Sequence, residues 1–281
     1  MDNIDRYAGI CIGNLDRSRD QIASLDTKTR AHLRELAYGL STIIPKTSDS
    51  DEAELFRRDY SELCVPLDHR ERITLCGYIC EKSPRISERL LELRPNSSEV
   101  TVVYVKNALS DIAFEHFSKE FERAQVYYAD NFESALEDVY YSRADHAILP
   151  LSSSRNGLML HFLELIMRYE MKIALSCEVH SITDDSENRF VLLSKSNICF
   201  PKKEGESREF EFILSDASRQ LPRVICAAQE YGCKLLFVQT MPSRDTALIR
   251  YEVSQSDADA LCLYLFLETP GHIPVGLYRA L

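Results

Sequence analysis

Thiols and imidazoles are the side chains whose chemistry is most readily read from spacing, and one stretch gathers four of them: Cys64, His69, Cys76 and Cys80. A structural zinc site needs closely paired ligands that can close a tetrahedron, and this spacing fits no such pattern. Cys76 and Cys80 fall one helical turn apart in an amphipathic segment, the arrangement of packing residues. The chain has nine cysteines, an odd number, and most lie in apolar stretches such as KIALSCEV and VICAAQ. Buried, reduced thiols are expected rather than a disulfide framework. No metal and no cofactor is expected.

Charge limits what the chain can grip. Lys and Arg number 33 against 44 Asp and Glu, a formal net charge of −11. That balance excludes a general nucleic-acid binder, which needs a basic footprint for phosphates, but it allows a local basic pocket for a small anion. With 281 residues, 45% of them hydrophobic, the chain can bury a sizeable core and fill more than one domain. No apolar run approaches the roughly 20 residues that span a bilayer. The opening MDNIDRYAG lacks the pattern of a secretory signal. A cytoplasmic protein without membrane contact is the expectation.

The elements that must position any site fall into three segments. Residues 1–95 read as helical: apolar residues recur at helical spacing from Leu15 to Ile44, and Pro45 with KTSDSD ends that helix. DEAELFRRDYSELC predicts a second helix capped by Asp49 or Ser50. A third runs from Pro66 through ITLCGYICEKS towards LLEL, bent at Pro84. The short AGICIG is the one strand-like stretch there. Residues 99–200 alternate strand and helix: VTVVYV, a helix capped by Ser110, QVYYA, a helix capped by Asp130, and HAILPL. That order predicts a parallel sheet, followed by a helix and the strands KIALSCEV and RFVLLSK. Residues 205–281 read as βαββα with a final extended tail. The fold class is therefore multi-domain α+β: an all-α module, a central α/β lobe with a parallel sheet, and a C-terminal βαββαβ unit.

These segments resemble the bifunctional P-protein of phenylalanine biosynthesis, in which a chorismate mutase of the AroQ type precedes prephenate dehydratase and an ACT domain. SRDQIASLDTK resembles the opening of the mutase, and LDHRERITLCGYICEKS resembles its third helix. ILPLSSS resembles the dehydratase strand ending in Pro-Ile-Glu-Asn-Ser, and ENRFVLL its Thr-Arg-Phe segment. The match in order spans nearly the whole chain.

The resemblance implies a set of site residues. The mutase needs cations to grip two carboxylates and a polar contact at the breaking ether bond. Arg19 matches the family's first arginine, Arg34 matches the second after a shift of register, and Lys46 and Arg57 stand at its further cation positions. Ser87, or Glu88 beside it, stands at the ether contact. In the dehydratase module Ser152, Ser153 and Ser154 replace Glu-Asn-Ser, and Asn188 stands at the threonine of Thr-Arg-Phe while Arg189 and Phe190 remain. Ser154 and Arg189 are 35 positions apart (189 minus 154), less than half the family's interval, so a second lobe is expected to be missing. In the ACT module Gln239, Thr240, Met241 and Pro242 replace the effector motif Glu-Ser-Arg-Pro.

Two functions follow as alternatives. Either chorismate mutase activity is retained and the dehydratase lost, or the chain is a non-catalytic binding or regulatory protein. The implied partners are small carboxylates (chorismate or prephenate), an amino-acid effector, and a second copy in a homodimer, with the C-terminal unit as a dimerisation surface. Convergence of Arg19, Lys46 and Arg57 in one pocket would favour the enzyme.

Overall fold

A computed structural model describes residues 26–48, 50–181, 183, 185–200, 208–241 and 245–281. Leu15, AGICIG and Arg19 lie outside the described residues. Residues 26–41 form helix α1, which buries Leu33, Ala37 and Leu40 at the spacing of one helix face. Helix α2 (Asp51–Leu63) is capped by Ser50, whose hydroxyl accepts from the Ala53 N–H, with three acidic residues in its first turn. Helix α3 (His69–Lys82) opens on a reciprocal capping box between Asp68 and Glu71. The expected bend at Pro84 is a break. α3 ends at Lys82, Arg85 takes a left-handed conformation (φ 63°), and a separate short helix α4 (Ile86–Leu90) follows. A proline removes one helical N–H and disfavours helical backbone in the residue before it.

Strand β1 (Arg94–Pro95) pairs with the later β8 (Ile198–Cys199) in a two-stranded sheet. The expected α/β alternation then appears as β2 (Glu99–Tyr104), α5 (Ala108–Ser118), β3 (Arg123–Tyr128), α6 (Phe132–Tyr140) and β4 (His146–Ser153). Both helix caps differ from expectation. Asn107 and Asn131 cap α5 and α6, not Ser110 and Asp130, because they hold the extended backbone that a cap requires. Ser110 lies inside the first turn of α5 and is fully buried. Strands β3, β2 and β4 are parallel. After β5 (Gly157–Leu158) and α7 (Leu160–Arg168), β6 (Lys172–Ser181) and β7 (Ser186–Ser194) form an antiparallel pair, and β7 also runs antiparallel to β4. The central sheet is therefore mixed rather than parallel: the link between β6 and β7 is too short for a crossover.

The last part of the chain is β9 (Arg208–Ser215), α8 (Ala217–Glu230), β10 (Lys234–Met241), β11 (Thr246–Val253), α9 (Gln255–Glu268) and β12 (Ile273–Ala280). Its strands lie in the order β10-β11-β9-β12, all antiparallel, a ferredoxin-like βαββαβ unit. Strand β12 also pairs in parallel with β6, fusing both halves into one ten-stranded sheet. Gly276 permits that approach, since a Cβ there would sit 2.5 Å from the Ile173 carbonyl oxygen.

Helix α9 is buried all round, from Ala258 to Phe266. The sheet and α8 cover one side, and α2, α3 and α4 cover the other. Phe56 stacks on Phe266 at 6.5 Å, and the His69 Nε2 and Tyr264 hydroxyl meet at 2.8 Å. The Glu268 carboxylate accepts from the Tyr60 hydroxyl (2.9 Å) and Arg72 (3.3 Å), and pairs with Arg223. The Asp259 carboxylate accepts from the Ser87 hydroxyl (2.5 Å) and from the N–H groups of Arg85 and Ser87. The helical segment and the C-terminal unit thus share one continuous core. No described helix is long and apolar enough to cross a membrane.

Two outcomes test this arrangement. Gly276→Ala should lower the urea midpoint by an amount equivalent to about 1–3 kcal/mol of overpacking, and an unchanged midpoint would refute the close β6–β12 approach. His146, 4% exposed, has its pKa lowered to about 4 by burial, against opposing effects of Asp145 and the Leu193 backbone. An unfolded imidazole titrates near 6.5, so the stabilisation from the neutral ring is complete above that pH. It is lost as pH falls towards 4, about 3 kcal/mol in all. Urea midpoints for His146→Leu should fall less steeply over that interval than those of the unsubstituted chain.

Candidate functional site

The serines at the end of β4 and the residues opening β7 lie side by side as a strand pair. Ser152 pairs with Arg189 and Ser153 with Asn188. Ser153 is buried and its hydroxyl accepts from the Arg155 N–H at 3.3 Å. The Ser154 hydroxyl accepts from the Glu187 N–H at 3.0 Å, and the Asn188 amide donates to the Ser186 hydroxyl at 3.0 Å. Phe190 is buried in the core on the α5 side of the sheet. Between Ser154 and Ser186 the chain forms β5, α7 and β6, and the described residues include no second lobe.

Arg189 is occupied by its own protein. It is 5% exposed and donates to Glu209 and Glu211 (both 3.2 Å) and to the Tyr278 hydroxyl. The Tyr278 hydroxyl in turn donates to Glu211, and Arg250 pairs with Glu209 at 3.4 Å. Burial pushes the Tyr278 phenol well above its usual range, although Arg189 opposes the shift. Glu178, opposite Arg189 across β6 and β7, is pushed up by burial against the pull of Arg189 and Arg250. A guanidinium already neutralised by two carboxylates has little charge left for a ligand. Glu209, Glu211 and Tyr278 were not among the expected site residues. The alternation in REFEFILS carried the signal, since a period of two sets both glutamates on one face and Phe210 and Phe212 on the other.

Of the expected cations of the helical segment, Arg19 lies outside the described residues, and Arg34 and Arg57 stack on different rings. The Arg34 guanidinium lies 5.0 Å from the Tyr78 ring centre, and Lys46 is exposed. Arg57 stacks on Phe266, whereas the buried Ser87 binds Asp259. Those anchors are seven residues apart on α9, about 10 Å along its axis. Glu88 is partly buried and pairs weakly with Arg85 at 3.9 Å. A groove of about 730 Å³ between α3 and the start of α9 includes Arg85 but also Glu81, Asp257 and Asp259, a charge balance that repels a dianion. The cavity beside Arg57 measures about 170 Å³, below the usual size of an organic-ligand pocket. The cluster of Cys64, His69, Cys76 and Cys80 forms no metal site among the described residues. Burial raises the thiol pKa of Cys64 to about 11 and of Cys76 to about 12, which disfavours the thiolate a metal would need.

Gln239, Thr240 and Met241, the residues that the resemblance places at an effector motif, lie on β10 at the edge of the ten-stranded sheet. Gln239 and Thr240 are exposed, Met241 packs partly against the core, and Pro242 lies outside the described residues. Leu235, Leu236 and Val238 on the same strand are 43%, 36% and 40% exposed.

No family model matches the chain. No curated protein matches it in sequence. Among solved structures, prephenate dehydratase from Streptococcus mutans is similar at a TM-score of 0.53 and 13% identity, over 64% of this chain and 98% of that one. At that identity the likeness is one of fold. The prephenate dehydratase from Arthrobacter aurescens in complex with L-Phe gives a TM-score of 0.49 and 14% identity, over 64% and 90% of the two chains. GqqA, described as a novel type of quorum quenching acylase, gives 0.49 and 16%, over 64% and 95%.

Arg189→Leu would leave Glu209 and Glu211 buried without one of their cations, at a cost of about 3–5 kcal/mol. Chemical denaturation reads that loss directly. A variant as stable as the original would show that the cluster does not close around Arg189.

Proposed function

We propose that this chain is a non-catalytic ligand-binding or regulatory protein of aromatic amino-acid metabolism, built on a prephenate-dehydratase-like fold. The observation that carries the reading is the state of Arg189. The arginine at the position of the dehydratase motif is consumed by Glu209, Glu211 and Tyr278. Support also comes from the separate contacts of Arg34, Arg57, Ser87 and Glu88. In this reading residues 1–95 are a mutase-derived helical cap, 99–200 a shortened dehydratase lobe, and 205–281 an ACT-like unit. The ligand is a small carboxylate or amino acid, and the chain acts in the cytoplasm as a homodimer. Exposed apolar side chains on the unpaired edge strand β10 support that association.

A chorismate assay that follows loss of ultraviolet absorbance tests the reading, with a parallel assay of prephenate conversion and Arg19→Ala as a control. Neither substrate should turn over above background. Chorismate turnover abolished by Arg19→Ala would establish the mutase and overturn the proposal. In light scattering the chain should run as a dimer, and Val238→Lys should shift it to monomer without loss of helical content.

A further inference from the structure

The cavity beside Arg57 differs in kind from the surfaces above. It lies between α2, the end of α4, the end of α9 and the approach to β12. The Arg57 guanidinium lies 4.0 Å from the Phe266 ring centre and donates to the carbonyl oxygens of Phe266 (3.3 Å) and Ser48 (3.4 Å). Both acceptors are neutral. Among the described residues no carboxylate stands within ion-pair distance of Arg57, and none of the cavity's lining residues is acidic. The Lys172 ammonium reaches the same corner, donating to the Pro274 carbonyl at 2.8 Å.

His272 completes the cavity wall. Its Nδ1 lies 2.9 Å from the Thr269 carbonyl oxygen, which can only accept, so Nδ1 carries the hydrogen. Burial lowers the pKa of this ring to about 4 despite the Thr269 bond, and the charges of Arg57 and Lys172 push the same way. The ring is therefore neutral near pH 7 and Nε2 holds a lone pair. The Arg57 guanidinium, without an acidic partner, and the neutral His272 residue thus line one small space. Its volume corresponds to about five or six waters, room for a compact ion but not for a ten-carbon dianion.

We propose that this cavity binds a compact oxyanion carrying its own hydroxyl, such as hydrogen phosphate or a short-chain 2-hydroxy acid. Arg57 holds the anionic oxygens and His272 Nε2 accepts the hydroxyl hydrogen. The proposal rests on the cavity at Arg57 and not on the proposed function.

Calorimetric titration of the full chain at pH 7 with phosphate, lactate, sulfate and propionate tests it. Phosphate or lactate should bind saturably, and about tenfold more tightly than the ion of similar size without a hydroxyl, the worth of one hydrogen bond. The tighter of the two identifies the ligand as phosphate or hydroxy acid. Arg57→Gln should abolish binding. Ser48→Leu should block it by filling the cavity while leaving the arginine in place, with circular dichroism confirming that both variants fold. The proposal is overturned by no saturable binding, by sulfate and propionate binding as tightly as their counterparts, or by binding that survives in either folded variant.

Discussion

The burial of α9 on all sides is the constraint on which the rest depends. A helix of a two-layer unit normally offers one face to its sheet and the other to water, and its sequence shows a polar stripe. The run DADALCLYLFL has no such stripe, so the helix can exist only where a second layer covers it. Helices α2, α3 and α4 supply that layer. On α9 the Asp259 carboxylate is bonded by Ser87 and Arg85 of the covering layer, and Glu268 by Tyr60 and Arg72 of that layer and by Arg223 of α8. They fix the cap at both ends of α9, and the apolar side chains between fill the space.

Much of this architecture was legible in the sequence. The helix–strand alternation of 99–200 and the βαββαβ order of the last segment appear as expected, because apolar periodicity reports which face of each element is buried. The cap of α2 falls on Ser50 as expected, whereas those of α5 and α6 lie on Asn107 and Asn131 rather than Ser110 and Asp130, since all are competent types and only backbone geometry separates them. The antiparallel placement of β7 was hidden because a strand buried on both faces reads alike in either direction. The shared core of the helical segment and the C-terminal unit runs against the expectation of separate domains, although the unpatterned apolar run of α9 is a signal for two-sided burial rather than for a surface helix.

The candidate site was legible in residue type but not in pairing. A sequence shows where an arginine is and not which carboxylate reaches it. Arg189 and Glu211 are brought together through β12, which adds Tyr278 between them. Arg57 shows the converse. It stood out as a cation on a helix, and its solitude is a fact of the surroundings, set by Phe266 and two backbone carbonyls rather than by an acid.

Strand β12 follows every other strand of the large sheet in the chain, yet it lies in the middle, between β6 and β9. As the polypeptide emerges from the ribosome, two half-sheets can assemble, each with a raw inner edge of unpaired N–H and C=O groups. Neither edge can close until Ile273–Ala280 has been made. A nascent chain halted a few residues short would carry both halves and no keystone, with two exposed edges open to pairing between molecules. Joining of the two halves therefore waits on this one strand, whatever order they assemble in.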